Sequence, residues 1–161
     1  MKSEKIDKNK LYILWKLHEN SRTTYKQLSK VCKLSPVSCY NQVKELKKTG
    51  VIKRFTIEID PKALGYSLEV FMEIKVSRAI RKRIAQEISK IGGVKKVWEI
   101  TGESDLLVHG FFINNEELDN FITILVKKFP EIKDIITRVV LHAYEDTNTP
   151  WFFRIESIQE K

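Results

Sequence analysis

The chain has 161 residues, 42% of them hydrophobic, and its 29 Lys and Arg exceed its 21 Asp and Glu to give a net charge of +8. That length can bury a real core. It carries no run of about 18 apolar residues to span a membrane, and its charged N-terminus has no apolar signal segment, so a soluble cytoplasmic protein is expected. Cys32 and Cys39 have no second Cys or His pair at ligand spacing; they read as small buried residues in a reducing compartment, not as a zinc site. His18, His109 and His142 are scattered, and neither a Gly-rich phosphate loop nor a nucleophile elbow is present. No catalytic residue, metal or cofactor is expected on these grounds.

The first strong signal is Thr24-Tyr25-Lys26-Gln27, a capping box that starts a helix at Tyr25. Leu28 and Val31 give that helix an inward face, and Leu34 closes a short turn. Ser35 offers a second N-cap, with Pro36 at the first helical position, where a missing amide costs nothing. The new helix places Cys39, Val43 and Leu46 on one side and stops at Gly50. Its outward residues are Val37, Ser38, Asn41, Gln42, Lys44 and Lys48, short or polar side chains near the helix start, where a recognition helix meets base edges. Base contacts are expected from Ser38, Asn41 and Lys44, with Val37 placed for a thymine methyl. Lys33, Lys47, Lys48, Lys53 and Arg54 are expected at phosphates.

Two capped helices joined by a turn also occur in proteins that never touch nucleic acid. Charge separates the readings. Residues 1–54 hold 14 Lys and Arg against 4 Asp and Glu, and residues 55–161 hold 15 against 17, so the two parts carry +10 and −2. Phosphate neutralisation dominates non-specific DNA affinity, whereas a merely solvated surface has no reason to segregate its charge. Double-stranded DNA is the expected partner.

Val51 to Ile59 is β-branched and loosely alternating, which predicts a linking strand, followed by a turn at Asp60, Pro61, Lys62 to Leu64 and Gly65. Leu68, Val70, Met72, Ile74 and Val76 then alternate as a strand. Ile80, Ile84, Ile88 and Ile91 follow at helical spacing up to Gly92 and Gly93, and Val94 to Thr101 returns to strand. The order recurs: strand Asp105 to Ile113, a helix capped by Asn114 and ending at Pro130, and strand Ile132 to Leu141. Strand, helix, strand, twice over, is a ferredoxin-like βαββαβ arrangement with both helices on one sheet face. The fold class is therefore α+β, a winged-type helix-turn-helix followed by that sheet. The expected division is 1–54 for the DNA-binding head, 55–66 for the linking strand and linker, 67–142 for the sheet domain and 143–161 for a tail.

The uncovered sheet face is expected to show Phe71, Val97, Leu107, Phe111, Val139 and Leu141, an apolar surface that needs a partner. A two-fold dimer packed sheet to sheet would answer it and hold two recognition helices for half-sites about one helical turn apart. In the tail, Trp151, Phe152, Phe153 and Ile155 follow a polar loop at Thr147 to Pro150. Glu145, Asp146, Glu156 and Glu160 argue against a base-stacking platform there, so packing on the dimer is expected.

These residues resemble the Lrp/AsnC family of transcription regulators along nearly the whole chain. In the head the resemblance rests on Ile13, Leu14, Leu17, Asn20, Ser21 and Arg22, on Leu28, Leu34, Ser35, Pro36, Val43, Leu46, Gly50, Val51 and Ile52, and on Pro61, Leu64 and Gly65. Further on it rests on Thr101, Gly102, Glu103 and Asp105 followed by Leu106, Leu107 and Val108. It implies dimers that assemble further, to tetramers or octamers, and an amino-acid effector between dimers, bound at Thr101, Gly102, Glu103, Ser104 and Asp105 with Thr137 as a further lining residue. Gly102 would let amides approach a carboxylate and Asp105 would receive an ammonium group; the competing reading is a tight turn with Asp105 as its cap.

Five positions depart from the family pattern: Lys10 for the usual acidic residue, Lys33 for the usual Gly of the helix-helix turn, Asn41 and Gln42 where Arg is frequent, and Ser104 where a larger residue is frequent. Asn and Gln suit adenine better than guanine, so contacted bases leaning towards A and T are expected. Two alternatives stand beside the regulator: an architectural DNA protein without an effector, and an enzyme like the sirohaem decarboxylases. The second is disfavoured by Val97, Trp98 and Glu99, a strand with no histidine.

Overall fold

In the computed structural model, residues 6–144 and 151–152 are described. The tail residues Glu145, Asp146, Phe153, Ile155, Glu156 and Glu160 and the Thr147 to Pro150 loop lie outside them. Two compact units are present: one holds the described residues up to Glu58 together with Tyr144, Trp151 and Phe152, and the other is Ile59–Ala143.

The first unit is built from three helices, α1 (Lys8–Glu19), α2 (Tyr25–Cys32) and α3 (Pro36–Lys48). Each begins at a side-chain cap. Asp7 accepts from the Lys10 amide at 2.8 Å, Thr24 and Gln27 form the reciprocal capping box, and Ser35 accepts from the Ser38 amide at 3.0 Å with Pro36 at the first helical position. Capping of this kind contributes about 1 kcal/mol per helix. The helices close on Ile13, Leu28, Cys32, Cys39, Val43 and Leu46, with Leu14, Leu17, Leu34 and Ile52 packed around them. Val31, expected inward, is 45% exposed; Leu28 and Cys32, four apart, take the buried line of α2 and turn Val31 outward. Burial pushes both thiols up, Cys32 further under the influence of Cys39, which makes them inert packing residues. Lys33 holds the left-handed conformation, φ 53°, that ends α2.

The expected strand at Val51 to Ile59 is not formed: the segment is irregular, and Val51, Phe55, Ile57 and Ile59 are exposed. A strand exists only through a ladder of backbone hydrogen bonds to a neighbour. Among the described residues the segment has none, so β-propensity alone leaves it without a ladder.

The second unit opens with a short 3-10 turn at Lys62–Leu64, closed by left-handed Gly65. It then runs β1 (Leu68–Lys75), α4 (Arg81–Ile88), β2 (Val94–Glu99), β3 (Leu106–Phe112), α5 (Asn115–Lys128) and β4 (Asp134–Val139). The sheet is antiparallel in the order β2-β3-β1-β4, as the repeated strand-helix-strand pattern requires. Val70, Met72, Ile74, Leu106, Val108 and Phe112 meet Ile84, Ile88, Leu118, Phe121 and Leu125 in one core. Each fully buried aliphatic side chain there contributes about 1.5–3 kcal/mol.

Register corrects the expected composition of the open face. β2 carries a bulge between Val94 and Lys96, and one extra residue reverses the alternation beyond it. Val94 and Val97, three apart, therefore both pack on the core, and Trp98 takes the outer side opposite Leu107. Val139 pairs with buried Val70 and so shares the helix side at the sheet edge, while Leu141 lies beyond the strand. The open face consists of Glu69, Phe71 and Glu73, Leu107, His109 and Phe111, Lys96 and Trp98, and Ile136 and Arg138. His109 lies at its centre, stacked on Phe71 with centroids 4.4 Å apart and bonded through Nε2 to Glu69 Oε1 at 2.6 Å.

The bulge also explains Gly110. A Cβ there would meet the Gly93 carbonyl oxygen at 3.0 Å and the Phe112 ring at 3.2 Å, and neither the backbone nor a fully buried ring yields cheaply. Gly110→Ala is expected to lower unfolding free energy by about 1–3 kcal/mol in urea titrations; unchanged stability would mean the strands separate more freely than this packing allows.

Candidate nucleic-acid interface and effector turn

On α3 the inward positions 39, 43 and 46 leave Val37, Tyr40, Asn41 and Lys44 in one exposed stripe at helical spacing. Val37 is 68% exposed. Ser38 is half-buried and its hydroxyl lies 2.8 Å from Ser35 Oγ, so a base contact from it shares the hydroxyl with the cap. Gln42, expected outward, turns partly inward, and its Oε1 is buried with no hydrogen-bond partner among the described residues.

The cations expected at phosphates bracket this helix. Lys33 lies in the turn before it, Lys47 and Lys48 form its last turn, and Lys53 and Arg54 follow, all exposed. Lys47 Nζ stands over the Phe55 ring, 5.9 Å from its centroid.

Tyr40 lies outside the residues that the sequence pattern nominates for DNA contact. It is 45% exposed on the stripe, and its ring meets that of Tyr25, the first residue of α2, edge to face, 5.4 Å apart at 89°. The signal was available in its spacing, three after Val37 and four before Lys44. An aromatic residue in a helix is ordinarily assigned to the core, which hid it.

In the second unit, Thr101, Gly102 and Glu103 are exposed between β2 and β3, with Gly102 at φ 120°. Ser104 is buried and donates to Glu73 Oε2 at 3.4 Å. Asp105 is tied to its own chain: its amide donates to Ile74 O, its carbonyl accepts from Ile100 N, and Oδ2 accepts from the Val76 amide at 3.0 Å. Its Oδ1 lies 3.7 Å from the Arg81 guanidinium, which also binds Glu99 at 2.9 Å. An incoming ammonium would therefore share Asp105 with Arg81, a cation that no motif of the turn includes. Thr137 pairs with Met72 on the helix side of the sheet, whereas Ser104 reaches Glu73 on the open side, so the sheet separates these two residues. An open cleft of about 270 Å³ lies elsewhere, lined by Ile59, Leu64, Tyr66, Val94, Lys95 and Phe111 among others, and includes none of the turn.

Glu73 joins the turn to the sheet. Its Oε1 accepts from Arg138 Nε at 2.8 Å, and that bond, with a smaller one from Ser104, holds its carboxyl below the usual glutamate range. Because the folded value is depressed, the pair stabilises the fold above the ordinary glutamate range and the contribution fades as pH falls through the lower folded value. Arg138→Gln should raise the Glu73 titration midpoint towards that of a free glutamate, read by NMR of the side-chain carboxyl; an unmoved midpoint would remove Arg138 as the cause.

Comparison with known proteins agrees with both units. A winged helix-turn-helix DNA-binding profile matches residues 6–53, and the Lrp/AsnC ligand binding domain matches residues 69–150. The HTH-type transcriptional regulator FL11 of Pyrococcus horikoshii is 32% identical over 144 residues, covering 89% of this chain and 93% of that protein. LrpC of Bacillus subtilis is 28% identical over 144 residues, covering 89% and 97%. Among solved structures, the transcriptional regulator NMB0573 of Neisseria meningitidis in complex with L-Met superposes with a TM-score of 0.83 at 26% identity, over 91% of this chain and 97% of that one. Escherichia coli AsnC gives 0.81 at 25%, over 87% and 95%. With its capped recognition helix, its βαββαβ sheet and these matches, the chain belongs to the Lrp/AsnC family of helix-turn-helix transcription regulators.

Proposed function

We propose that this regulator binds DNA as a homodimer, reading bases through Val37, Ser38, Asn41 and Lys44 and gripping phosphates through Lys33, Lys47, Lys48, Lys53 and Arg54. The observation that carries the reading is an exposed stripe on a helix capped by Ser35, set in a segment of charge +10. Base-edge recognition by such a stripe gives sequence preference, and the surrounding cations give affinity. If a dimer makes on the order of six phosphate contacts, log K should fall with log salt at a slope of about −5 in fluorescence anisotropy. A flat dependence would remove the electrostatic basis. Asn41 favours adenine, so selection from a random duplex pool should return contacted bases rich in A and T; a G-rich consensus would contradict it.

Dimerisation follows from the open sheet face, where Phe71, Trp98, Leu107, Phe111 and Ile136 offer apolar surface that water penalises. Phe71→Glu should convert dimers to monomers in sedimentation velocity, by placing a charge in the interface. A variant that sediments like the wild type would move the interface elsewhere.

Modulation by an amino acid or related small molecule at Thr101 to Asp105, between dimers, is the regulatory part of the proposal. A transcriptional regulator of the same architecture is described in complex with L-Met, and calorimetry against a panel of amino acids is the direct test. An effector-free architectural role is favoured instead by the internal engagement of Asp105 with Arg81 and the Val76 amide; absence of heat with every amino acid would select it. Neither reading needs catalysis, a metal or a cofactor. Action on chromosomal DNA places the protein in the cytoplasm, and among the described residues no helix is long and apolar enough to cross a membrane.

A further inference from the structure

We propose that Tyr25 and Tyr40 form a neutral phosphate clamp at the edge of the recognition surface, each phenol donating a hydrogen bond to the DNA backbone. The inference rests on the DNA-binding role and extends it to two residues outside the cationic set.

Both rings are large apolar groups left in water, Tyr25 at 40% and Tyr40 at 45% exposure. An exposed aromatic held in a fixed place has already lost part of the rotamer freedom that binding would otherwise remove. The edge-to-face contact at 5.4 Å and 89° fixes each ring against the other, in the geometry aromatic pairs prefer. Neither hydroxyl has a hydrogen bond or other polar partner among the described residues. The pair thus presents two unused donors on a rigid support.

Position selects the occupant. Tyr40 belongs to the stripe that carries Val37, Asn41 and Lys44, but its contact with Tyr25 draws its ring to the α2 side of that stripe. Tyr25 is the first residue of α2. In a helix-turn-helix the recognition helix enters the groove while the helix before it crosses the backbone. A side chain shared between the two helices therefore stands over the strand that borders the groove, where phosphate oxygens, not base edges, are within reach. Tyrosine is one of the side chains that make such contacts, and a phosphate oxygen is a charged acceptor for the phenol proton.

A phenol differs from a lysine in one measurable respect. It adds affinity without releasing a counterion, so removing it weakens binding while leaving the salt slope unchanged, whereas loss of a lysine contact lowers the slope by about one. The test uses the full chain, a duplex recovered by selection from a random pool, and anisotropy titrations over a salt series for wild type, Tyr25→Phe, Tyr40→Phe and the double variant, with Lys47→Ala as reference. Phenylalanine keeps both rings and their packing, and thermal melts check that the head remains folded. Each single variant should bind about tenfold more weakly with the wild-type slope, and Lys47→Ala, which removes one contact from each half of the dimer, should lose about two units of slope. Phenylalanine variants that bind like the wild type would overturn the clamp and leave the tyrosines as packing alone, as would weaker binding with a reduced slope. A wild type that retains no duplex would overturn the DNA-binding role as well, and is recognised because all five proteins then fail together.

Discussion

The recognition surface depends on one constraint: α2 and α3 must be locked at a fixed angle by a very small core. Leu28, Cys39, Val43 and Leu46, with Ile13 from α1, supply that core and are essentially excluded from water. Nothing larger is available to three short helices, so the caps at Asp7, Thr24 and Ser35 are not ornaments. They satisfy amides that would otherwise compete with packing for the helix ends. With the inward line of α3 fixed by burial, the outward line is fixed too, because 3.6 residues per turn leave it no freedom. Val37, Tyr40, Asn41 and Lys44 face the solvent as a consequence of where Cys39, Val43 and Leu46 must go.

The same logic at larger scale governs the second unit. One face of the sheet is covered by α4 and α5 and its side chains are buried except at the β4 edge, where Val139 is exposed; the other carries rings, a buried histidine and paired charges. The rings at its centre already pack on one another, Phe71 and Trp98 stacked parallel to His109 and Phe111 tilted against it, so the surface is ordered within a single chain. The hydrogen bond between Glu69 and His109 and the ion pair between Glu73 and Arg138 satisfy the polar groups among them. A face of this kind fits association that is specific in register as well as apolar.

Legibility followed the length of the physical signal. The helices α2, α3 and α5 were readable from their caps, since Thr24 with Gln27, Ser35 with Pro36, and Asn114 announce themselves locally. Helix α1, whose apolar residues are interleaved with lysines, entered only through the family resemblance of Ile13, Leu14 and Leu17. In the sheet domain strand existence was readable, but facing was not. The bulge at Val94/Lys96 is a property of two strands together, so no alternation within β2 could announce that Val97 faces the core. Val51 to Ile59 failed for a related reason, since propensity describes a residue and a ladder needs a neighbour. At the candidate sites, charge segregation and the stripe on α3 were visible. The Tyr25 contact with Tyr40, and Arg81 reaching Asp105 across 24 positions of sequence, belong to tertiary structure.

The central claim is that α3 presents its outward stripe to a DNA groove. The most direct measurement is amide chemical-shift mapping of the labelled protein on addition of a selected duplex. Shifts concentrated on residues 33–48, with Tyr25 and the cations at 53 and 54, are the predicted outcome. Shifts confined to the sheet domain, with α3 unmoved, would contradict the account.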